Sequence, residues 1–184
     1  KSSPPHTSGP ASRRETGVRV LANGRAMLAQ AGLRLALERA LEAMLTPAIT
    51  QRLPPEMGYP GSYASMAAWI ADRDAEAEIW SAHARADGRL IGLGILLFEV
   101  EDEAAEMPVI MIGYFIGEHE WGQGFGKELV GGLVAAIAEH APVRISAKVE
   151  GDNTVSARLL ERLGFVASAD LSTQDLLHFD KICT

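Results

Sequence analysis

The chain has 184 residues, 47% of them apolar and 22% charged, and carries a formal net charge of −7. These proportions suit one folded domain with a substantial core. They leave no basic stripe to meet the phosphates of a nucleic acid, which excludes that class of partner. An acidic surface is compatible with a cationic amine as substrate, but solubility alone accounts for it more simply.

Residues Lys1 to Thr16 are rich in proline and serine and poor in bulky apolar side chains, so a flexible tail is expected ahead of a single domain over residues 17–184. Gly17 to Leu21 reads as a short strand. Leu33, Leu37, Leu41, Met44 and Leu45 fall on one helical face, which favours a helix from about Ala36, although Leu33, Leu35 and Leu37 also alternate as in a strand. Pro47 and Leu53-Pro54-Pro55 end that element and open a loop to Gly61. Ser62 is placed to cap a helix running through Ala71, with Met66, Trp69 and Ile70 as its apolar stripe.

Asp87-Gly88 between two apolar runs, Glu78 to Arg85 and Arg89 to Glu101, signals a hairpin. An acidic loop follows, then a strand from Met107 to Gly117, whose segment Val109 to Ile116 is apolar on both faces apart from Tyr114. That is the signature of a central strand covered on both sides. Leu129, Val130, Leu133, Val134 and Ile137 recur at helical spacing up to His140, and Pro142 stops that helix. Val143 to Val149 alternates as a strand. A helix opened by Asn153 follows, then strands from Phe165 and near Leu176 to Ile182. Helices alternating with strands around a mixed sheet indicate an α/β or α+β layer fold.

Cys183 is the only cysteine, so an intrachain disulfide or a cysteine-based metal cluster is excluded, and its position suggests a bystander. His6, His83, His119, His140 and His178 show no metal-ligand spacing, and no metal is expected. No apolar run reaches the ~18 residues of a membrane span. No charged-then-apolar leader is recognisable either, so a cytoplasmic location without membrane association is the expectation.

The segment that carries chemistry is Trp121-Gly-Gln-Gly-Phe-Gly-Lys127, between the apolar strand and the following helix. A strand, a glycine-rich turn and a helix N-terminus together make an anion site of backbone N–H groups. A Walker loop fails here at two positions, because its first glycine falls on Trp121 and its Ser/Thr on Glu128. A Rossmann fingerprint fails at one: Gly122, Gly124 and Gly126 are spaced Gly-x-Gly-x-Gly rather than Gly-x-Gly-x-x-Gly.

Downstream lies Asn153-Thr-Val-Ser-Ala-Arg-Leu-Leu-Glu-Arg-Leu-Gly-Phe165, a helix opened by a capping asparagine and closed by glycine. Val155, Leu159 and Leu163 are its expected core positions. In this order and at this distance, the two segments resemble the acetyl-coenzyme A site of the GNAT superfamily of N-acetyltransferases. The glycine turn is similar to the family pattern Arg/Gln-x-x-Gly-x-Gly/Ala except that Trp121 stands first. Similar Trp-Gly-x-Gly turns occur in branches acting on ribosomal-protein N-termini, aminoglycosides and polyamines. The resemblance is good from Val109 to Phe165 and only an outline before that.

The resemblance implies a mixed, mostly antiparallel central sheet with a splayed parallel strand pair, flanked by helices. It implies acetyl-CoA as co-substrate, and it allows a homodimer. Tyr114, Phe115 and Ile116 would offer main-chain groups to the pantetheine arm and carbonyl. Gly122, Gln123, Gly124, Phe125, Gly126 and Lys127 would hold the pyrophosphate, and Asn153 would contact the pantetheine region. The acid–base residues depart from the family pattern. Leu160 stands where many members carry a tyrosine acid, and Lys148 where peptide N-terminal acetylators often carry a glutamate base.

Glu118 and Glu120, just past the strand and flanking His119, are the candidate bases, and Ser156 is the candidate proton donor to the leaving thiolate. The acceptor is expected against the N-terminal half, around Leu53 to Tyr63 and Glu99 to Glu106. Trp69, Trp80, Tyr59 and Tyr63 are possible lining, although isolated aromatics are more often core. The leading expectation is direct acetyl transfer to a peptide N-terminus or a small-molecule amine. The alternatives are a catalytically weak acyl-CoA-binding protein and, further off, a nucleotide-binding domain.

Overall fold

The computed structural model describes residues 18–23, 31–53, 64–98 and 107–184. Strands β1 (Val18–Asn23), β2 (Glu78–Ala84), β3 (Leu90–Phe98), β4 (Val109–Ile116), β5 (Val143–Glu150), β6 (Val166–Ala167) and β7 (Leu176–Cys183) form a seven-stranded sheet in the order β1-β2-β3-β4-β5-β7-β6. Every neighbouring pair is antiparallel except β4 and β5, which run parallel. That parallel pair is what the crossover through a helix between β4 and β5 demands.

Helices α1 (Ala31–Met44), α2 (Pro47–Thr50) and α3 (Met66–Glu76) precede the β2–β3 hairpin, and α4 (Phe125–Ala138) and α5 (Thr154–Arg162) flank β5 in sequence. Two apolar cores result. One gathers Leu41, Leu45, Ile49, Met66, Trp69 and Ile70 against Ile79, Leu93, Ile95 and Phe115. The other gathers Leu129, Val130, Leu133, Ile137, Ala157 and Leu160 against Ile110, Ile112, Ile145, Ala147 and Phe179. The central strands β2, β3 and β4 contribute residues to both cores, which is why β3 and β4 read as continuous apolar runs.

Residues 33–44 are helical, and the helix begins at Ala31, ahead of the expected start. The cap of α3 is Ser65, whose side chain accepts from the Ala68 N–H at 3.2 Å, so the helix starts at Met66 and runs to Glu76; Ser62 lies outside the described residues. Pro47 starts the single turn α2 instead of opening a continuous loop, as a proline at a first helical position can. The Asp87-Gly88 hairpin forms, with Gly88 at φ 74°.

Of the three core positions expected in α5, Leu159 and Leu163 are partly buried and pack against the core, whereas Val155 is 77% exposed; Ala157 and Leu160 are the buried residues of this helix. The proposed tail at residues 1–16 and the loops at 54–61 and 99–106 lie outside the described residues. No helix among the described residues is long and apolar enough to cross a membrane.

Candidate active site

The site begins where two strands part. β4 stays paired with β3 as far as Ile116, and β5 stays paired with β7 as far as Glu150. Between them, however, the parallel ladder ends at Met111 and Ser146. Beyond this vertex, where the Ser146 hydroxyl is hydrogen-bonded to Asp180 of β7, the strands diverge.

The alternation of a β-strand fixes which groups face the gap. The Arg144 N–H donates to the Pro108 carbonyl at 2.9 Å across the β5 side, and the Gly117 N–H donates to Ile91 at 2.9 Å across the β3 side. Even-numbered residues of β4 therefore turn their main chain toward β5. Past the vertex, Tyr114 and Ile116 present main-chain N–H groups to a gap in which no strand answers them. Phe115 turns the other way: its main chain pairs with Leu93 and its ring is buried in the core beneath α1 and α3.

After β4 comes a short 3₁₀ turn, Glu118–Glu120, and then the glycine turn. Gly122 and Gly124 have φ of 76° and 87°, and Gly124 is the N-cap of α4 with no side-chain cap. Side chains rarely adopt that backbone conformation, so the glycines decide the turn. The Lys127 and Glu128 N–H groups bond back to the Gly124 carbonyl at 3.1 and 3.3 Å. The N–H groups from Gly122 to Gly126 have no partner among the described residues. The helix therefore offers a run of free donors with the positive end of its dipole behind them. Lys127 is exposed beside them.

At Gly126 a Cβ would lie 2.9 Å from Cδ1 of Leu159, so this glycine also lets α4 and α5 pack closely. Trp121, at the position where the family pattern has Arg or Gln, is half exposed, and its indole N–H donates to the Ile116 carbonyl at 2.8 Å. It thereby ties the turn back to the end of the splayed strand. Such a contact has no signature in residue spacing.

Asn153 caps α5, with its side-chain oxygen accepting from the Ser156 N–H at 3.2 Å. Ser156, half-buried in the first turn, stands beside the Tyr114 ring on the α4–α5 side of the sheet. The Tyr114 hydroxyl is buried and has no hydrogen-bond partner among the described residues. Burial pushes this phenol above its ordinary value of 10.0, and the neighbouring Ser156 side chain opposes part of that shift.

The two candidate bases are differently placed. Glu118 is exposed and accepts from the Thr46 hydroxyl at 2.8 Å, at the corner between α1 and α2. Glu120 is only 15% exposed and is held by Arg89, whose guanidinium donates to both carboxylate oxygens at 2.7 and 3.3 Å, with Gln123 adding a donor at 3.3 Å. Leu160 is fully buried in the core. Lys148 is exposed on β5. Trp69 is a fully buried core residue, and Trp80, half-buried, donates to Glu78 at 3.2 Å. Tyr59 and Tyr63 lie outside the described residues.

A split parallel strand pair leading to uncapped amides is the arrangement the family resemblance implies, and the family model for the acetyltransferase (GNAT) domain matches residues 32–166. The chain belongs to the GNAT acetyltransferase family. It is 38% identical over 73 residues to an uncharacterized N-acetyltransferase, p20, of Bacillus licheniformis, a match covering 39% of this chain and 38% of that relative's length.

Among solved structures it is similar to a ribosomal-protein-S5-alanine acetyltransferase from Vibrio fischeri. The identity is 16%, the TM-score 0.62, and the match covers 90% of this chain and 92% of that one. It is also similar to yncA of Salmonella typhimurium, solved with its cofactor acetyl-CoA, at 16% identity and TM-score 0.59, covering 91% of this chain and 95% of that one. At such identities these likenesses concern the fold, and the fold is the mixed GNAT sheet with its parted parallel pair.

Proposed function

We propose that the protein is an acetyl-CoA-dependent N-acetyltransferase that moves the acetyl group directly to a primary amine, either a peptide N-terminus or a small-molecule amine. The observation that carries this reading is a pair of neighbouring sets of unpartnered main-chain donors: Tyr114 and Ile116 on the splayed half of β4, and Gly122 to Gly126 at the uncapped end of α4. Such donors suit an extended, amide-bearing ligand that ends in a diphosphate.

Each residue then has a role. Gly122 to Gly126 hold the pyrophosphate with their main chain, and Lys127 adds charge. Tyr114 and Ile116 fix the pantetheine arm and polarise the thioester carbonyl, with Phe115 supporting the strand from beneath. Asn153 orders the first turn of α5 against the arm. Ser156 faces the same side of the sheet as the departing sulfur. Glu118 is the better placed of the two bases, because Arg89 occupies the Glu120 carboxylate. The demand on the base is mild for an α-amino group, with a pKa of about 8, and greater for a lysine-like amine near 10.4. A homodimer fits this class of enzyme.

A second reading, an acyl-CoA-binding protein with little chemistry, draws on Leu160 being locked in the core where an acid is commonly found. Two measurements separate these readings. Acetyl-CoA is expected to raise the melting temperature while NAD and ATP do not, and a panel of peptide and small-molecule amines followed by mass spectrometry is expected to contain an acetylated product. A shift with ATP or NAD alone refutes the acetyl-CoA site. A shift with acetyl-CoA and no acetylated amine favours the second reading.

A further inference from the structure

A buried hydroxyl with no partner is costly, of the order of 1–3 kcal/mol, and each one calls for a physical explanation, a catalytic role among them. Tyr114 carries such a hydroxyl at an informative place. It is on β4 past the Met111–Ser146 vertex, its ring points to the α4–α5 side, and Ser156 of α5 stands alongside without forming a hydrogen bond of ordinary geometry. Its own main-chain N–H faces the gap proposed for the thioester. The position seven residues after Asn153 holds a core leucine, so α5 offers no phenol.

We propose that the Tyr114 hydroxyl is the hydrogen-bond donor to the thioester sulfur, and to the thiolate that departs from it. This rests on the acetyl-CoA reading above and deepens it. As the amine lone pair forms the C–N bond, the C–S bond breaks and its electron pair passes to sulfur. The phenol hydrogen bond stabilises that developing charge. The amine sheds one proton and the thiolate gains one, so the enzyme returns unchanged. Held un-ionised by burial, the phenol remains a donor throughout the working range of pH. Ser156 supplies a second hydroxyl on the same side.

The test uses Tyr114→Phe, which keeps the ring and removes only the orphaned oxygen. In calorimetry the wild type binds coenzyme A several-fold more tightly than its desulfo analogue, and the variant loses that preference. The thiol of bound coenzyme A, followed by thiolate absorbance, titrates about one unit higher in the variant than in the wild type. With an accepted amine, kcat falls about tenfold to a hundredfold while KM for acetyl-CoA stays within about twofold. The melting temperature of the free variant stays level or rises, because an unpaired buried group has been removed. A merely structural phenol predicts the reverse: a lower melting temperature, with the sulfur preference and the thiol titration unmoved. That pattern overturns the role of Tyr114 and leaves the cofactor site standing. Failure of both proteins to bind coenzyme A overturns the site and the proposal together.

Discussion

Two helices, α4 and α5, point their N-termini at the same cleft, and they end differently. The α5 terminus is closed: the Asn153 side chain takes the Ser156 N–H, and the Asn153 carbonyl takes that of Ala157 at 3.1 Å. The α4 terminus is open: Gly124 has no side chain to cap with, and the N–H groups from Gly122 to Gly126 are unspent. A capped terminus satisfies itself and serves the fold, whereas an uncapped one stores binding capacity for an anion. The difference assigns the two turns to different jobs before any ligand is considered.

The comparison breaks most visibly if the open terminus is filled. Gly126→Glu places an anion among the free amides and is expected to weaken acetyl-CoA binding at least a hundredfold, about 2.7 kcal/mol by calorimetry. Gly126→Ala crowds Leu159 without the charge. It is expected to change stability by less than about 1 kcal/mol, read by urea unfolding, because the Leu159 methyl can give way and alanine favours the helix, and it still binds acetyl-CoA. Equal loss of binding in both variants makes helix packing, not charge, the reason for the glycine.

Gly124→Ala forces a side chain into the left-handed region, for a cost of about 1–2 kcal/mol in folding and a measurable loss of affinity, because the donors shift together. Asn153→Ala sharpens the contrast from the other side: about 1 kcal/mol of stability is lost with the cap, and only a few-fold in acetyl-CoA affinity. A larger effect on affinity than on stability contradicts the assignment of this terminus to the fold. The smallest effect belongs to Arg89→Ala. Releasing a half-exposed ion pair from Glu120 costs at most about 1 kcal/mol and weakens binding slightly, as the turn before Trp121 loosens.

The cleft's scaffold was legible in the sequence where a residue type has one physical reason to be where it is. Gly122 and Gly124 need positive φ, the run Val109 to Ile116 needs cover on both faces, and Asn153 needs a helix to cap. The parted strands came through the family resemblance rather than through the residues themselves.

Readings failed where the signal was weak or distant. In α5, Leu159 and Leu163 pack against the core as their spacing indicates, but Val155 looks buried and is exposed, and Ala157, which is buried, contributes little apolar signal. Ser62 and Ser65 are equally good caps in isolation, and only the folded chain chooses between them. The surroundings of Glu118, Glu120 and Tyr114 depend on Thr46, Arg89 and Ser156, contacts that no local pattern announces.

The ladder beyond Ser146 has a consequence for how the molecule comes into being. There the far jaw of the cleft, Ala147 to Glu150, hangs on β7 alone. A nascent chain that has left the ribosome only through α5 possesses the glycine turn and both helix ends, yet has no firm opposing wall. Catalytic competence therefore waits for translation to deliver the segment from Leu176 to Cys183.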